Sequence, residues 1–129
     1  KSRVLLALAE RELREGSPSA ARSLLETCIA LRADDPTPWR RLAECERGLG
    51  YPERELNAWR RVAAFGGRDT AQVWWRIAEL AAQLERRAEL EEALGMAVRH
   101  DPRRRRAADA LWQQAVRRPS PGEPPPGGR

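Results

Sequence analysis

Apolar residues recur at three- and four-residue steps in RVLLALAEREL, WRRLAECERGL and VWWRIAELAAQL. That spacing lines them up on one face of an α-helix. Nothing alternates apolar and polar residues over a useful length, so no strand is predicted. Gly16-Ser17-Pro18 and Gly50-Tyr51-Pro52 mark clear breaks, and the polar Glu85-Arg86-Arg87 a weaker one. Ser17-Pro18, Thr37-Pro38 and Asp101-Pro102 each place a capping residue before a proline at the first helical position, and Pro52 does so without a good cap. The pattern predicts helices near 3–15, 18–32, 38–49, 52–65, 70–84, 87–99 and 102–117, an all-α chain.

These helices repeat. An offset of 34 links Leu5 to Trp39, Ala9 to Ala43, Gly16 to Gly50, Leu25 to Trp59 and Cys28 to Val62. An offset of 35 then links Trp39 to Trp74, Leu42 to Ile77, Ala43 to Ala78 and Val62 to Ala97. The additional residue falls between Val62 and Trp74, where AFGGRDT reads as a loop. After it the offset returns to 34, joining Trp74 to Ala108, Ile77 to Leu111 and Ala81 to Ala115. Small residues such as Ala9, Ala43 and Ala78 let paired helices approach closely, and large ones such as Trp39, Trp59, Trp74 and Leu94 fill the space between pairs. A single pair cannot bury its own apolar face, so pairs must stack and the last face needs a lid. The stripe Ala108, Leu111, Trp112 and Ala115 in RRRRAADALWQQAVRR supplies one.

Period and size pattern resemble the tetratricopeptide repeat, whose 34 residues read W-x2-L-G-x2-Y, then A-x3-F, then P. The middle unit shows Trp39, Leu42, Ala43 and Trp59; the third shows Trp74, Ile77, Ala78, Leu90, Leu94, Ala97 and Pro102. The first shows Leu5, Leu8, Ala9, Ala21, Leu25 and Cys28. Glu12 and Glu46 stand where the pattern has an aromatic, and Glu55 where it has a small residue. The resemblance implies a right-handed superhelical stack of antiparallel helix pairs, an α-solenoid. Its repeats span about 3–36, 37–69 and 70–102, with a capping helix at 102–117 inside one domain at 1–118. ARSLLETCIAL followed by PTPWRRLAECERGLG is also similar to the HAT repeat of RNA-processing scaffolds. The remainder, 119–129, is rich in Pro and Gly and poor in apolar residues, which predicts a disordered tail.

Composition narrows the function. The chain of 129 residues carries a net charge of +5. Residues 1–98 hold 16 basic and 16 acidic side chains, so the excess sits wholly in the C-terminal segment. No apolar run approaches the roughly 18 residues of a membrane span. A start at Lys1 rather than Met suggests an excised or processed piece, and the compartment cannot be read from it. No P-loop, dinucleotide fingerprint or G-x-S-x-G motif is present. His100 is the single histidine, at a helix end where a positive-leaning residue is favoured. Two cysteines with no second histidine do not make a usual zinc site. No catalysis, cofactor or metal is expected.

The resemblance implies that the first helix of each unit lines a concave groove where a peptide or neighbouring subunit docks. On that face stand Leu6 and Glu10, then Arg40, Glu44 and Arg47, then Trp75, Arg76, Glu79 and Gln83. Glu10, Glu44 and Glu79 are in register, and Glu44 is placed to pair with Arg40 and Arg47 on its own helix. Family members that bind chaperone tails use basic and Asn side chains here; Arg76 matches one, but Glu10 and Glu44 oppose that use. The predicted function is thus a non-catalytic protein-interaction scaffold within a larger complex. The alternative is a module of an RNA-associated complex, with Arg103, Arg104, Arg105 and Arg106 as an anion site. Those four cations crowd a helix start, against the helix dipole. Cys28 and Cys45 lie equidistant from the Pro36-Thr37 turn, which predicts neighbouring sulfurs, either two buried thiols or a disulfide.

Overall fold

A computed structural model describes residues 1–117, and the expected tail lies outside them. The described residues form helices joined by short turns, with no strand among them. The chain divides into two compact units, Lys1–Gly66 and Gly67 onward. The division falls in the loop that carries the additional residue of the repeat.

The first unit holds α1 (Ser2–Arg14), α2 (Pro18–Leu31), α3 (Pro36–Leu49) and α4 (Pro52–Phe65). The second holds α5 (Thr70–Gln83), α6 (Arg87–His100) and α7 (Arg105–Arg117), the last preceded by a 3-10 turn at Pro102–Arg104. Helices α1 and α2, α3 and α4, and α5 and α6 pack as consecutive pairs, and α2 packs on α3. Proline at the first position starts α2, α3 and α4, where its missing N–H leaves no bond unmade.

The turn inside each pair is the same structure three times. Ser17 N–H donates to Glu12 O at 2.8 Å, Tyr51 N–H to Glu46 O at 2.9 Å, and Arg86 N–H to Ala81 O at 2.8 Å. Each turn also has a residue of left-handed φ: Gly16 at 79°, Gly50 at 78° and Glu85 at 58°. This is the Schellman closure, which satisfies the last helical carbonyls and favours glycine because it has no Cβ. The break at Glu85, weakest in the sequence, therefore has the full geometry of the two glycine breaks. The start of α3 differs from expectation. Asp35, not Thr37, caps it, with Oδ1 accepting from Thr37 N–H at 2.9 Å.

The small register positions are buried, while Leu8 is exposed. Ala9, Ala43 and Ala78 are fully buried, as are Cys28, Val62 and Ala97. In the first unit Ala9, Ala21, Leu25 and Cys45 form a cluster with Leu6, Leu13, Leu24 and Leu42 against it. In the second, Val73, Ile77, Leu80 and Ala81 of α5 and Leu90, Ala93 and Leu94 of α6 are buried. Trp39, Trp59 and Trp74 are only half-buried. An indole covers much area yet keeps its N–H toward a polar partner, and Trp59 donates Nε1–H to Glu55 Oε2 at 2.9 Å. Glu55 is itself buried, so the glutamate that departs from the repeat pattern is a tryptophan's acceptor.

Candidate functional site

Two first-helix faces belong to the first unit. Arg41 ties α3 to α1: its Nε donates to Glu10 Oε2 at 3.0 Å, and its Nη1 to the two Glu44 oxygens at 3.0 and 3.2 Å. Burial works against the Arg41 charge, but Glu44 and Glu10 outweigh it and hold the guanidinium above its ordinary value. Glu10 and Glu44, in register along the repeat, are thus joined through one cation, and it is Arg41, outside the expected pairing of Glu44 with Arg40 and Arg47. Leu6 is half-buried and packs on the core cluster, so it braces this face from below. Arg40 is half-buried and engaged, while Arg47 is exposed near the end of α3. Arg41 was not singled out in the sequence. The available signal was its place one turn before Glu44, the residue equivalent to Glu10.

In the second unit Arg76 Nη1 lies 3.4 Å from Glu79 Oε1, one turn along α5. Trp75 is half-buried, and the Arg104 guanidinium carbon stands 5.6 Å from its ring centre. Cation and ring face attract at this separation. Arg104, at the start of the capping segment, thus lies against one face of Trp75. Gln83 is exposed and borders a cavity shared with α6 and α7.

The four arginines have different surroundings. Asp101 Oδ1 accepts from Arg103 N–H at 3.2 Å and Arg103 Nε at 3.0 Å, and its Oδ2 lies 3.5 Å from Arg104 Nε. The side-chain hydrogen bond from Arg103, followed by its backbone bond and the nearby charges, outweighs burial and lowers the Asp101 pKa. The carboxylate that relieves the crowded helix start is thus internal. Arg105 borders a groove with Asp109 and Trp112 between α6 and α7, and Arg106 is exposed.

A polar cluster on the first unit was missed altogether. Glu46, 4% exposed, accepts from Arg22 Nε at 2.8 Å and Arg22 Nη2 at 2.6 Å, both on Oε1. The Arg22 and Arg54 guanidinium carbons lie 5.3 and 5.1 Å from the Tyr51 ring centre. Glu46 fills the place of a pattern aromatic, and nothing in the period points to Arg22 as its partner.

Both cysteines are buried free thiols. Cys28 Sγ donates to Ser2 O at 3.6 Å, whereas Cys45 packs among Ala9, Ala21 and Leu25. Among the described residues no three His, Cys, Asp or Glu side chains gather as a metal site. No helix among them is long and apolar enough to cross a membrane.

Residues 2–45 match the tetratricopeptide repeat family. No curated protein matches the chain. Among the solved structures that share its fold are two of one protein. One is the type III secretion chaperone SycD of Yersinia enterocolitica in complex with a peptide of the translocator YopD. It is 17% identical with a TM-score of 0.68, covering 88% of this chain and 91% of that one. A second structure of the same translocator chaperone is also 17% identical, with a TM-score of 0.63, covering 88% and 80%. At this identity the likeness is one of fold.

Proposed function

We propose that this tetratricopeptide-repeat chain is a non-catalytic interaction module that holds a peptide segment of a partner protein. The observation that carries this reading is the fold, shared over 88% of the chain with a chaperone solved in complex with a peptide. Helical repeats of this kind present side chains from successive first helices as a recognition surface. Taken unit by unit, those are Glu10, Arg40, Glu44 and Arg47 on α1 and α3 of the first, and Trp75, Arg76, Glu79 and Gln83 on α5 of the second. Their chemistry supports binding: arginines and carboxylates already exchange hydrogen bonds at the surface, where a partner can enter the network.

The test is selection of a random peptide library on the full chain, followed by calorimetry of the enriched peptide. The expected result is saturable binding of the enriched peptide, with affinity lost in Arg47→Glu while helical content is kept. Failure to enrich any peptide, together with binding of an RNA oligonucleotide that collapses as salt rises, would replace this reading with the phosphate-binding one.

A further inference from the structure

Three first helices carry the same four register positions, and two of the three copies are covered. On α3 they are Pro38, Leu42, Cys45 and Glu46, on the side where α2 packs. Pro38, Cys45 and Glu46 are buried there, and Leu42 packs on a core cluster that holds Ala21 and Leu25 of α2. On α5 they are Val73, Ile77, Leu80 and Ala81, all buried. On α1, 34 residues before α3, they are Val4, Leu8, Arg11 and Glu12. Val4 is 63% exposed and Leu8 41%, so this copy of the face lies open to solvent.

The covered copy on α3 specifies the complement. Arg22 of α2 donates twice to Glu46, the register equivalent of Glu12. Glu12 is half-buried, and its carboxylate has no partner among the described residues. A carboxylate so placed gains most from a charge-assisted bond, above all from the fork of an arginine. The nearest cations on α1 do not meet that need. Arg11 is held by Glu15 at 3.1 Å, and Arg14, two residues on from Glu12, stands about 200° round the helix. A second copy of the chain does not supply the complement either. The other large apolar residues exposed among the described residues are Leu31, Tyr51 and Phe65. They end α2, precede α4 and end α4, so they form no exposed stripe to set against Val4 and Leu8.

We infer that this face of α1 docks an amphipathic helix of a partner protein, one carrying an arginine with a leucine three residues on, as Arg22 and Leu25 stand in α2. The partner helix takes on α1 the place that α2 takes on α3. Its apolar side covers Val4 and Leu8, and its arginine binds Glu12. The inference goes beyond the groove reading, because Leu6 and Glu10 lie about 200° round α1 from Leu8 and Glu12.

The probe is a peptide of residues 17–32 of this chain with Cys28→Ala, held helical by a lactam joining the exposed positions of Ser23 and Thr27. Its partner probe carries Arg22→Glu in addition. Each is titrated into the isotope-labelled full chain and followed by NMR. The first is expected to shift the backbone signals of Val4, Leu8 and Glu12, and the second to bind at least about tenfold more weakly. Leu8→Asp in the full chain abolishes the shifts, and Glu12→Arg reverses the preference between the two peptides. Val4→Asp, at the more exposed site, gives the same reading should Leu8→Asp unfold the chain.

Equal binding of the two peptides, no shift in α1 with either, or shifts confined to α3 because the peptide displaces α2, overturns the assignment. If the α1 signals move with protein concentration alone and the mass doubles in sedimentation, a second copy covers the face and the partner assignment falls. It falls equally if removal of residues 119–129 alone moves those signals, since the chain then covers the face itself.

Discussion

Arg22 donates from both Nε and Nη2 to one carboxylate oxygen of Glu46, at 2.8 and 2.6 Å, joining α2 to α3 inside the first unit. The Arg22 side chain is 23% exposed and that of Glu46 5%, so the carboxylate depends on this partner while the cation keeps contact with water. Arg54 Nε is farther from the same group, at 4.0 Å from Oε2.

Removing Arg22 alone leaves a buried carboxylate with a weak second partner. Arg22→Ala is expected to lower stability by about 1.5–3 kcal/mol, the range for losing hydrogen bonds to a charged group. Replacing both partners, as Arg22→Met with Glu46→Leu, removes the desolvation cost too and should restore most of that loss. Urea unfolding of the single and double variants checks this. A double variant no more stable than Arg22→Ala would show that the pair is not the source of the effect.

Glu85 occupies with φ 58° the place that Gly50 occupies with φ 78°. A Cβ in this region costs roughly 1–2 kcal/mol in the folded chain, partly offset because glycine has more freedom to lose on folding. Glu85→Gly is therefore expected to stabilise the second unit by about 0.5–1 kcal/mol. Gly50→Ala should destabilise the first by a similar amount, since a Cβ built there meets nothing within 4 Å and only the backbone cost acts. Opposite shifts in melting temperature are the expected result; a fall for Glu85→Gly would refute the backbone account.

These cases show what was legible in the sequence. Helices and repeat register were readable because period and residue size report burial directly: Ala9, Ala43 and Ala78 are all inside. The third turn was faint because its signal is a backbone angle, and Glu85 adopts that angle without being glycine. The polar residues were hardest. Glu46, Glu55 and Arg41 act through partners 24, 4 and 31 residues away. Which arginine meets which glutamate depends on side-chain directions that a period does not encode. In the arginine cluster, likewise, the run of charge does not show that Asp101 folds back on Arg103.

Cys45 is fully buried, and burial first, then the charges of Glu46 and Glu44, push its thiol from 9.0 up to about 11, with Arg22 pulling the other way. Burial, followed by the charge of Asp35, moves Cys28 in the same direction. A raised thiol pKa means that the folded state holds its proton more tightly than the unfolded chain does. The associated stability is present in full below the unfolded value near 9 and is lost as pH rises through about 11. Unfolding in urea should thus show a steeper loss of stability between these pH values for the native chain than for Cys45→Ala. That variant begins lower because it leaves a small cavity, but has no thiol to ionise. At pH 8 both thiols should resist a disulfide reagent in the folded chain and react rapidly in urea, since the thiolate is the reactive form. Fast reaction of either thiol without denaturant, or parallel stability curves for the two proteins above pH 9, would contradict the buried, protonated state.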